Sequence, residues 1–198
     1  KPTRTIAVES EDAVAVIQAV RDLGLGDYAN TSYPRGLAAL VNDVPERYAV
    51  IDAGTNSIKF HIGVRDREGR WRTVVDRAEL TRLGEGLAEH GTILDAAIER
   101  TVAAIADMVD EAKRHDVRAI AAVGTAGLRR AGNANAVLDA IHKRTGLRVE
   151  VISGEEEGRL AYLAAKAGLG LRTGSLVVFD TGGGSSQFTF GHDAIVDE

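Results

Sequence analysis

Two short segments carry the residue types of a phosphate site. Asp52-Ala53-Gly54-Thr55-Asn56-Ser57 follows an apolar run from Tyr48 to Ile51, and Asp180-Thr181-Gly182-Gly183-Gly184-Ser185 follows Val177-Val178-Phe179. Glycine lets the backbone turn several N–H groups toward one point, and the hydroxyls of Thr55 and Ser57 add donors. Asp52, at the end of an apolar strand, is placed to hold a divalent cation or a metal-bound water. A plain hairpin turn explains the first loop equally well, because Asx–Gly sequences form such turns routinely. In the second loop, three consecutive glycines cost about 0.5–1 kcal/mol each relative to alanine in a regular element. That cost is easier to understand where a backbone must approach a ligand than in a flexible linker. Together, two Asp-x-Gly hairpins can pinch a phosphate between two lobes.

Two further segments add acid and base. Ile152-Ser153-Gly154-Glu155-Glu156-Glu157-Gly158-Arg159 reads as a helix start near Gly154. Its glutamates complement the positive end of the helix dipole, a sufficient structural reason for Glu155 and Glu156. A carboxylate just inside a helix that opens onto a phosphate site can also act as general base for water. Val123-Gly124-Thr125-Ala126-Gly127-Leu128-Arg129-Arg130 follows a buried strand and precedes a helix, where mixed-sheet proteins tend to keep their active-site residues. An arginine there can clamp phosphate oxygens in bidentate fashion; a solvated arginine pair is the plainer alternative.

The elements that must position these residues follow from hydrophobic periodicity. Strands are expected at Tyr48 to Asp52, Ile58 to Val64 and Arg72 to Leu80, the first two joined as a hairpin across Gly54-Thr55-Asn56. Leu94, Ile98, Val102, Ile105 and Val109 mark one face of a long helix. A strand at Val117 to Val123, a helix at Asn135 to Lys143, a strand at Leu147 to Ile152 and a helix at Glu155 to Ala167 complete the run. Three leading strands followed by helix–strand alternation imply an α/β fold, a mixed sheet with helices on its faces. Leu176 to Asp180 and Gln187 to Phe190 then repeat the strand, Asp-Gly loop, strand scheme, an internal duplication of the motif.

Residues 1 to 46 differ. A short strand at Thr5 to Val8, a helix over Asp12 to Leu23, a turn-rich break at Asn30 to Gly36 and a short helix at Leu37 to Val41 are expected. No catalytic constellation is found there, and the stretch reads as a linker or the end of a preceding domain. The pattern Ala7-Val8-Glu9, Leu23-Gly24-Leu25 and Ser32-Tyr33 carries the alternative, a faint resemblance to the tail of a triphosphate-tunnel (CYTH) domain.

Composition narrows the class. The 198 residues suit one ordinary domain with an appended piece, and the start at Lys1-Pro2 together with an end just after a strand suggests a segment of a longer protein. Neither a membrane-length apolar run nor a signal-peptide pattern is present, so no membrane partner is expected. The absence of cysteine rules out disulfides and thiolate metal sites and fits a cytoplasmic location. A net charge of -5 argues against a nucleic-acid partner but not against phosphorylated ligands, which a local cluster of amides and arginines can hold.

In this order the segments resemble the exopolyphosphatase / guanosine pentaphosphate phosphatase (Ppx/GppA) family of the actin–hexokinase–acetate kinase superfold. Asp52 to Ser57, Leu83-Gly84-Glu85-Gly86-Leu87, Gly124 to Arg129, Ile152 to Arg159 and Asp180 to Ser186 carry the resemblance, over about residues 47 to 198. It implies an actin/hexokinase-like (ribonuclease H-like) lobe over residues 47 to 174 with a mixed five-stranded sheet. Residues 175 to 198 would then be the first hairpin of a truncated second lobe.

The resemblance also implies magnesium-dependent hydrolysis of terminal phosphoanhydrides in inorganic polyphosphate or guanosine pentaphosphate. Glu157 would orient or deprotonate the attacking water, and Arg129 would bind the phosphate chain. Gly54, Thr55, Asn56 and Ser57, with Gly182, Gly183, Gly184 and Ser185, would supply amides and hydroxyls to the terminal phosphate. Asp180 would help hold Mg2+ or another divalent cation, with Asp52 and Gln187 as further ligands. Gln187 departs from the pattern, which continues with glutamate; glutamine can coordinate through its carbonyl oxygen but carries no charge. A polyphosphate- or nucleotide-binding sensor with weakened catalysis is therefore an alternative. A sugar or acetate kinase-like phosphotransferase is another, because Asp-x-Gly-Thr-x-Ser also opens carbohydrate kinases, although the Ser153 to Arg159 segment favours the hydrolase. Oligomeric state is left open, a homodimer of the full-length protein being one expectation.

Overall fold

A computed structural model describes residues 13–22, 46–66, 68–192 and 194–197. The chain divides into two units, Lys1–Val44 and Pro45–Glu198. In the first, the described residues form helix α1 (Ala13–Asp22), close to the helix expected over Asp12 to Leu23. The strand, turn and short helix expected elsewhere in residues 1 to 45, and the CYTH-like alternative, lie outside the described residues.

The second unit opens with a meander of β1 (Arg47–Ala53), β2 (Ser57–Arg65) and β3 (Trp71–Leu80). Alternation decides which face is buried: Ala49, Ile51 and Ala53 of β1 and Ile58, Phe60, Ile62 and Val64 of β2 all point to one side and are sealed from solvent. That side receives α3 (Asp95–Arg114) and α5 (Ala134–Thr145), which follow a short helix α2 (Leu87–His90). β4 (Ala119–Gly124) pairs parallel to β1, and β5 (Glu150–Val151) parallel to β4. A parallel neighbour requires a crossover, and the helices supply it. The result is a mixed five-stranded sheet of order β3-β2-β1-β4-β5; the mixed sheet is as the residues imply and its five strands as the resemblance implies.

Details differ from the expectation in three places. The strand expected over Leu147 to Ile152 pairs only at Glu150 and Val151, because the Leu147 amide donates instead to Thr145 Oγ1. Leu147, Val149 and Val151 still lean on the core. The long helix starts after Leu94, which caps it and is exposed, so the buried stripe runs through Ala97, Thr101, Ala104, Ile105 and Met108, with Ile98 and Val102 at its margin. A five-residue helix, α4 (Ala126–Arg130), carries the arginine pair directly after β4, before α5 begins.

Helix α6 (Gly154–Gly168) leads to a separate three-stranded antiparallel sheet of β6 (Ser175–Thr181), β7 (Ser186–His192) and β8 (Ala194–Asp197). α6 packs on the face of this sheet that buries Thr189. Gly158 makes the approach possible, since a Cβ there would stand 2.8 Å from Thr189 Oγ1. The opposite face exposes Val177, Phe179, Phe188 and Phe190, with the rings of Phe179 and Phe188 stacked at 4.3 Å. No helix among the described residues is long and apolar enough to cross a membrane.

Candidate active site

Both Asp-x-Gly segments form hairpin loops of one design. Gly54 N–H donates to the Ser57 carbonyl at 3.1 Å, and Gly182 N–H donates to the Ser185 carbonyl at 2.9 Å. Register repeats as well: Asp52 lies across from Lys59, and Asp180 lies across from Gln187 at the same offset. In the first loop the carbonyls of Thr55 and Asn56 are tied back, accepting from the amides of Gly84 and Arg82, each at 2.8 Å. The N–H groups of Thr55, Asn56, Gly183 and Gly184 donate to no acceptor among the described residues. Four backbone donors are thus left for a ligand or solvent.

The loops meet at Thr55, whose side chain is walled by glycines from three segments. A Cβ on Gly184 would stand 2.4 Å from Thr55 Oγ1, one on Gly84 2.3 Å from Thr55 Cγ2, and one on Gly127 3.2 Å from Oγ1. Gly183 approaches the neighbouring residue, a Cβ there falling 3.0 Å from Asn56 Cβ. These glycines are needed for close approach, since no side chain fits between the loops.

Helix α4 links this contact to the acid–base pair. Gly127 faces Thr55, and two residues on, Arg129 Nη1 donates to Glu157 Oε2 at 2.7 Å and to the Ile152 carbonyl at 2.9 Å. Both side chains are largely withdrawn from water, Arg129 at 22% and Glu157 at 17% exposure. The structure therefore brings together the two residues expected to be catalytic. Ser153 caps α6, its hydroxyl accepting from Glu156 N–H at 3.0 Å. The three glutamates then divide: Glu155 is exposed, Glu156 grips Arg159 through both carboxylate oxygens, and Glu157 turns to Arg129. Hydrogen bonding by Arg159 holds the Glu156 carboxyl below the usual carboxylate value.

Oxygen ligands are available where a cation was expected. Asp52 Oδ2 stands 3.4 Å from Lys59 Nζ, while its Oδ1 is buried without a partner. A buried carboxylate oxygen with no donor suits a hard divalent cation, or a water held by one. Asp180 is half-buried in its hairpin. Gln187 donates from Nε2 to Ser185 Oγ at 2.9 Å, which leaves its carbonyl oxygen open and the Ser185 hydrogen free to donate. Among the described residues no three His, Asp or Glu side chains converge as a ready metal shell.

Some features escape a reading of the sequence. Lys59 as the partner of Asp52 is one, since register is needed to set it opposite the carboxylate. Gly84 and Gly127 gave no sign of their role beside Thr55, although both stand in segments that carry the resemblance. Arg130 reaches the second loop, Nη1 lying 3.4 Å from the Gly184 carbonyl.

A five-stranded mixed sheet with this strand order, followed by a second hairpin that brings its loop against the first, defines a lobe of the actin-like fold. The chain belongs to the Ppx/GppA phosphatase family, whose family model matches residues 64–198. It is 29% identical over 147 residues to exopolyphosphatase 1 of Mycobacterium leprae, covering 74% of this chain and 43% of that protein. It is 34% identical over 149 residues to the guanosine-5'-triphosphate,3'-diphosphate pyrophosphatase of Aliivibrio fischeri, covering 75% of this chain and 29% of that one. Among solved structures, the Ppx/GppA family member of Aquifex aeolicus superposes with a TM-score of 0.69 at 33% identity, covering 77% of this chain and 49% of that one. The chain thus spans less than half the length of these relatives.

Proposed function

We propose that the protein hydrolyses terminal phosphoanhydride bonds, releasing phosphate from inorganic polyphosphate or from guanosine pentaphosphate. The observation that carries this reading is the meeting of two Asp-x-Gly loops with four uncommitted amides, joined through α4 to the Glu157–Arg129 pair. The names of the relatives, an exopolyphosphatase and a guanosine-5'-triphosphate,3'-diphosphate pyrophosphatase, support the substrate class.

In this mechanism the amides of Thr55, Asn56, Gly183 and Gly184 and the hydroxyls of Ser57 and Ser185 hold the terminal phosphate. Such donors are set before the reaction and need no reorganisation as charge develops. Glu157 Oε2 is fixed by Arg129, which leaves Oε1 to take a proton from water. The water oxygen bonds to the terminal phosphorus as the bridging P–O bond breaks, and the electron pair leaves with the shortened chain. Further N–H donors of Arg129 offset the charge on the phosphate oxygens. Asp52 Oδ1, Asp180 and the Gln187 carbonyl oxygen would hold magnesium or another divalent cation, which when bound neutralises phosphate charge.

Glu157→Gln tests the assignment. Phosphate release from polyphosphate with magnesium is expected to vanish while polyphosphate binding persists; unchanged turnover would sink the general-base role. Assaying polyphosphate and guanosine pentaphosphate side by side identifies the substrate. One observation favours a second reading, a sensor on the same scaffold: uncharged Gln187 stands opposite Asp180, with its amide engaged by Ser185. Binding of polyphosphate by the intact protein without any release of phosphate would select that reading.

A further inference from the structure

The two arginines of α4 face different partners. Successive helical residues diverge by roughly 100° around the axis, so the two side chains leave the helix in different directions. Arg129 is half-buried and already committed to Glu157 and to the Ile152 carbonyl. Arg130 is exposed, and its one side-chain hydrogen bond among the described residues, to the Gly184 carbonyl, is 3.4 Å long. No carboxylate among the described residues pairs with it.

We propose that Arg130 is a second anion-binding arginine of the site, contacting the phosphate chain where the second glycine loop meets the first. This assignment rests on the phosphoanhydride reading above. Gly184 supports it by position: its carbonyl holds Arg130, its amide is uncommitted, and a Cβ on it would strike Thr55 Oγ1. The guanidinium therefore stands at the junction of the two loops. A neutral carbonyl at 3.4 Å is a weak partner for a group with five donors. A phosphate oxygen makes a shorter, charge-assisted bond and takes the guanidinium over. Arg129 then positions Glu157 through Nη1 and offers its remaining donors to the phosphate, and Arg130 adds affinity for the polyanion.

The test compares equilibrium binding of polyphosphate, and its salt dependence, in the intact protein carrying Glu157→Gln alone and with Arg130→Ala or Arg130→Lys added. Turnover is measured in the Arg130 single variants. Loss of one ionic contact is expected to weaken binding about tenfold and lower the slope of log Kd against log salt by about 1. Arg130→Lys is expected to keep the slope, and KM in Arg130→Ala to rise with kcat within about twofold. An unchanged Kd and slope in Arg130→Ala, with Glu157→Gln still abolishing release, would overturn the proposal and leave the hydrolase reading standing. A fall in kcat with the salt slope intact would also overturn it, assigning Arg130 to bracing the loop. If the protein bound neither polyphosphate nor guanosine pentaphosphate, the function reading itself would fail and this proposal with it. If binding and slope respond as expected while nothing is hydrolysed, the sensor reading holds and Arg130 keeps its role.

Discussion

At the scale of single residues, the site depends on what surrounds Thr55. Its loop advertises donors, and its amide is indeed uncommitted, but its side chain sits among Gly84, Gly127 and Gly184. A methyl at Gly84 would fall 2.3 Å from Thr55 Cγ2, and Thr55 cannot turn away cheaply because glycine backbone closes on its other substituents. Gly84→Ala is expected to destabilise the protein by about 1–3 kcal/mol and to slow phosphate release. Thr55→Ser deletes the offending methyl, so the double variant is expected to recover most of the loss. Chemical unfolding of both single variants and the double gives the coupling; additive effects would mean that the two residues do not press on each other. The loop donors were legible because glycine, serine and threonine declare their chemistry by type. The socket was not, because its walls come from segments far apart in the chain and nothing local marks which glycine faces which side chain.

At the scale of elements, α6 shows what a helix start must do to aim a glutamate. Ser153 ends the preceding extended backbone and accepts the Glu156 amide, while the Glu157 amide bonds back to the Ser153 carbonyl at 3.0 Å. Glu156 is spent on Arg159, one turn along and on the surface. Two substitutions separate these contributions by pH. Ser153→Ala is expected to lower stability by about 1 kcal/mol whatever the pH, since the cap is uncharged. Glu156 differs, because its folded carboxyl is held below the ordinary value of 4.5 by Arg159. Its contribution is present above that value and is lost as pH falls through the lowered one. Glu156→Gln is therefore expected to lower the unfolding midpoint slightly at neutral pH and not at all in strong acid. A deficit that persisted in acid would show that Glu156 acts through something other than its charge. The start of α6 near Gly154, with its acidic first turn, was readable from sequence, as were the three leading strands. β5 was over-read: Leu147, Val149 and Val151 alternate like a strand and do face the core, yet alternation reports burial rather than pairing. α4 was passed over because five residues leave no period to detect.

At the scale of the whole second unit, two sheets with separate hydrogen-bond ladders are joined at their glycine loops and by α6. The sequence revealed the duplication as a repeated motif. The contact between the copies needed the fold, because it depends on where β1 and β6 end relative to one another. A ligand that takes amides from both loops binds across this junction and has to protect both at once. Hydrogen exchange of the intact protein with and without polyphosphate measures this, using magnesium and the Glu157→Gln variant so that the ligand survives. Peptides covering residues 54–57 and 182–185 are expected to slow together and with the same concentration dependence. α3, whose hydrogen bonds are internal to a helix packed on the buried face of β1 and β2, is expected to change little. Saturating ligand at about 100 times Kd is also expected to add roughly 2.7 kcal/mol to the unfolding free energy of the bound form. Protection confined to one loop would mean that the phosphate chain is held by a single hairpin. The second Asp-x-Gly segment would then be a structural copy of the first, with no share in the site.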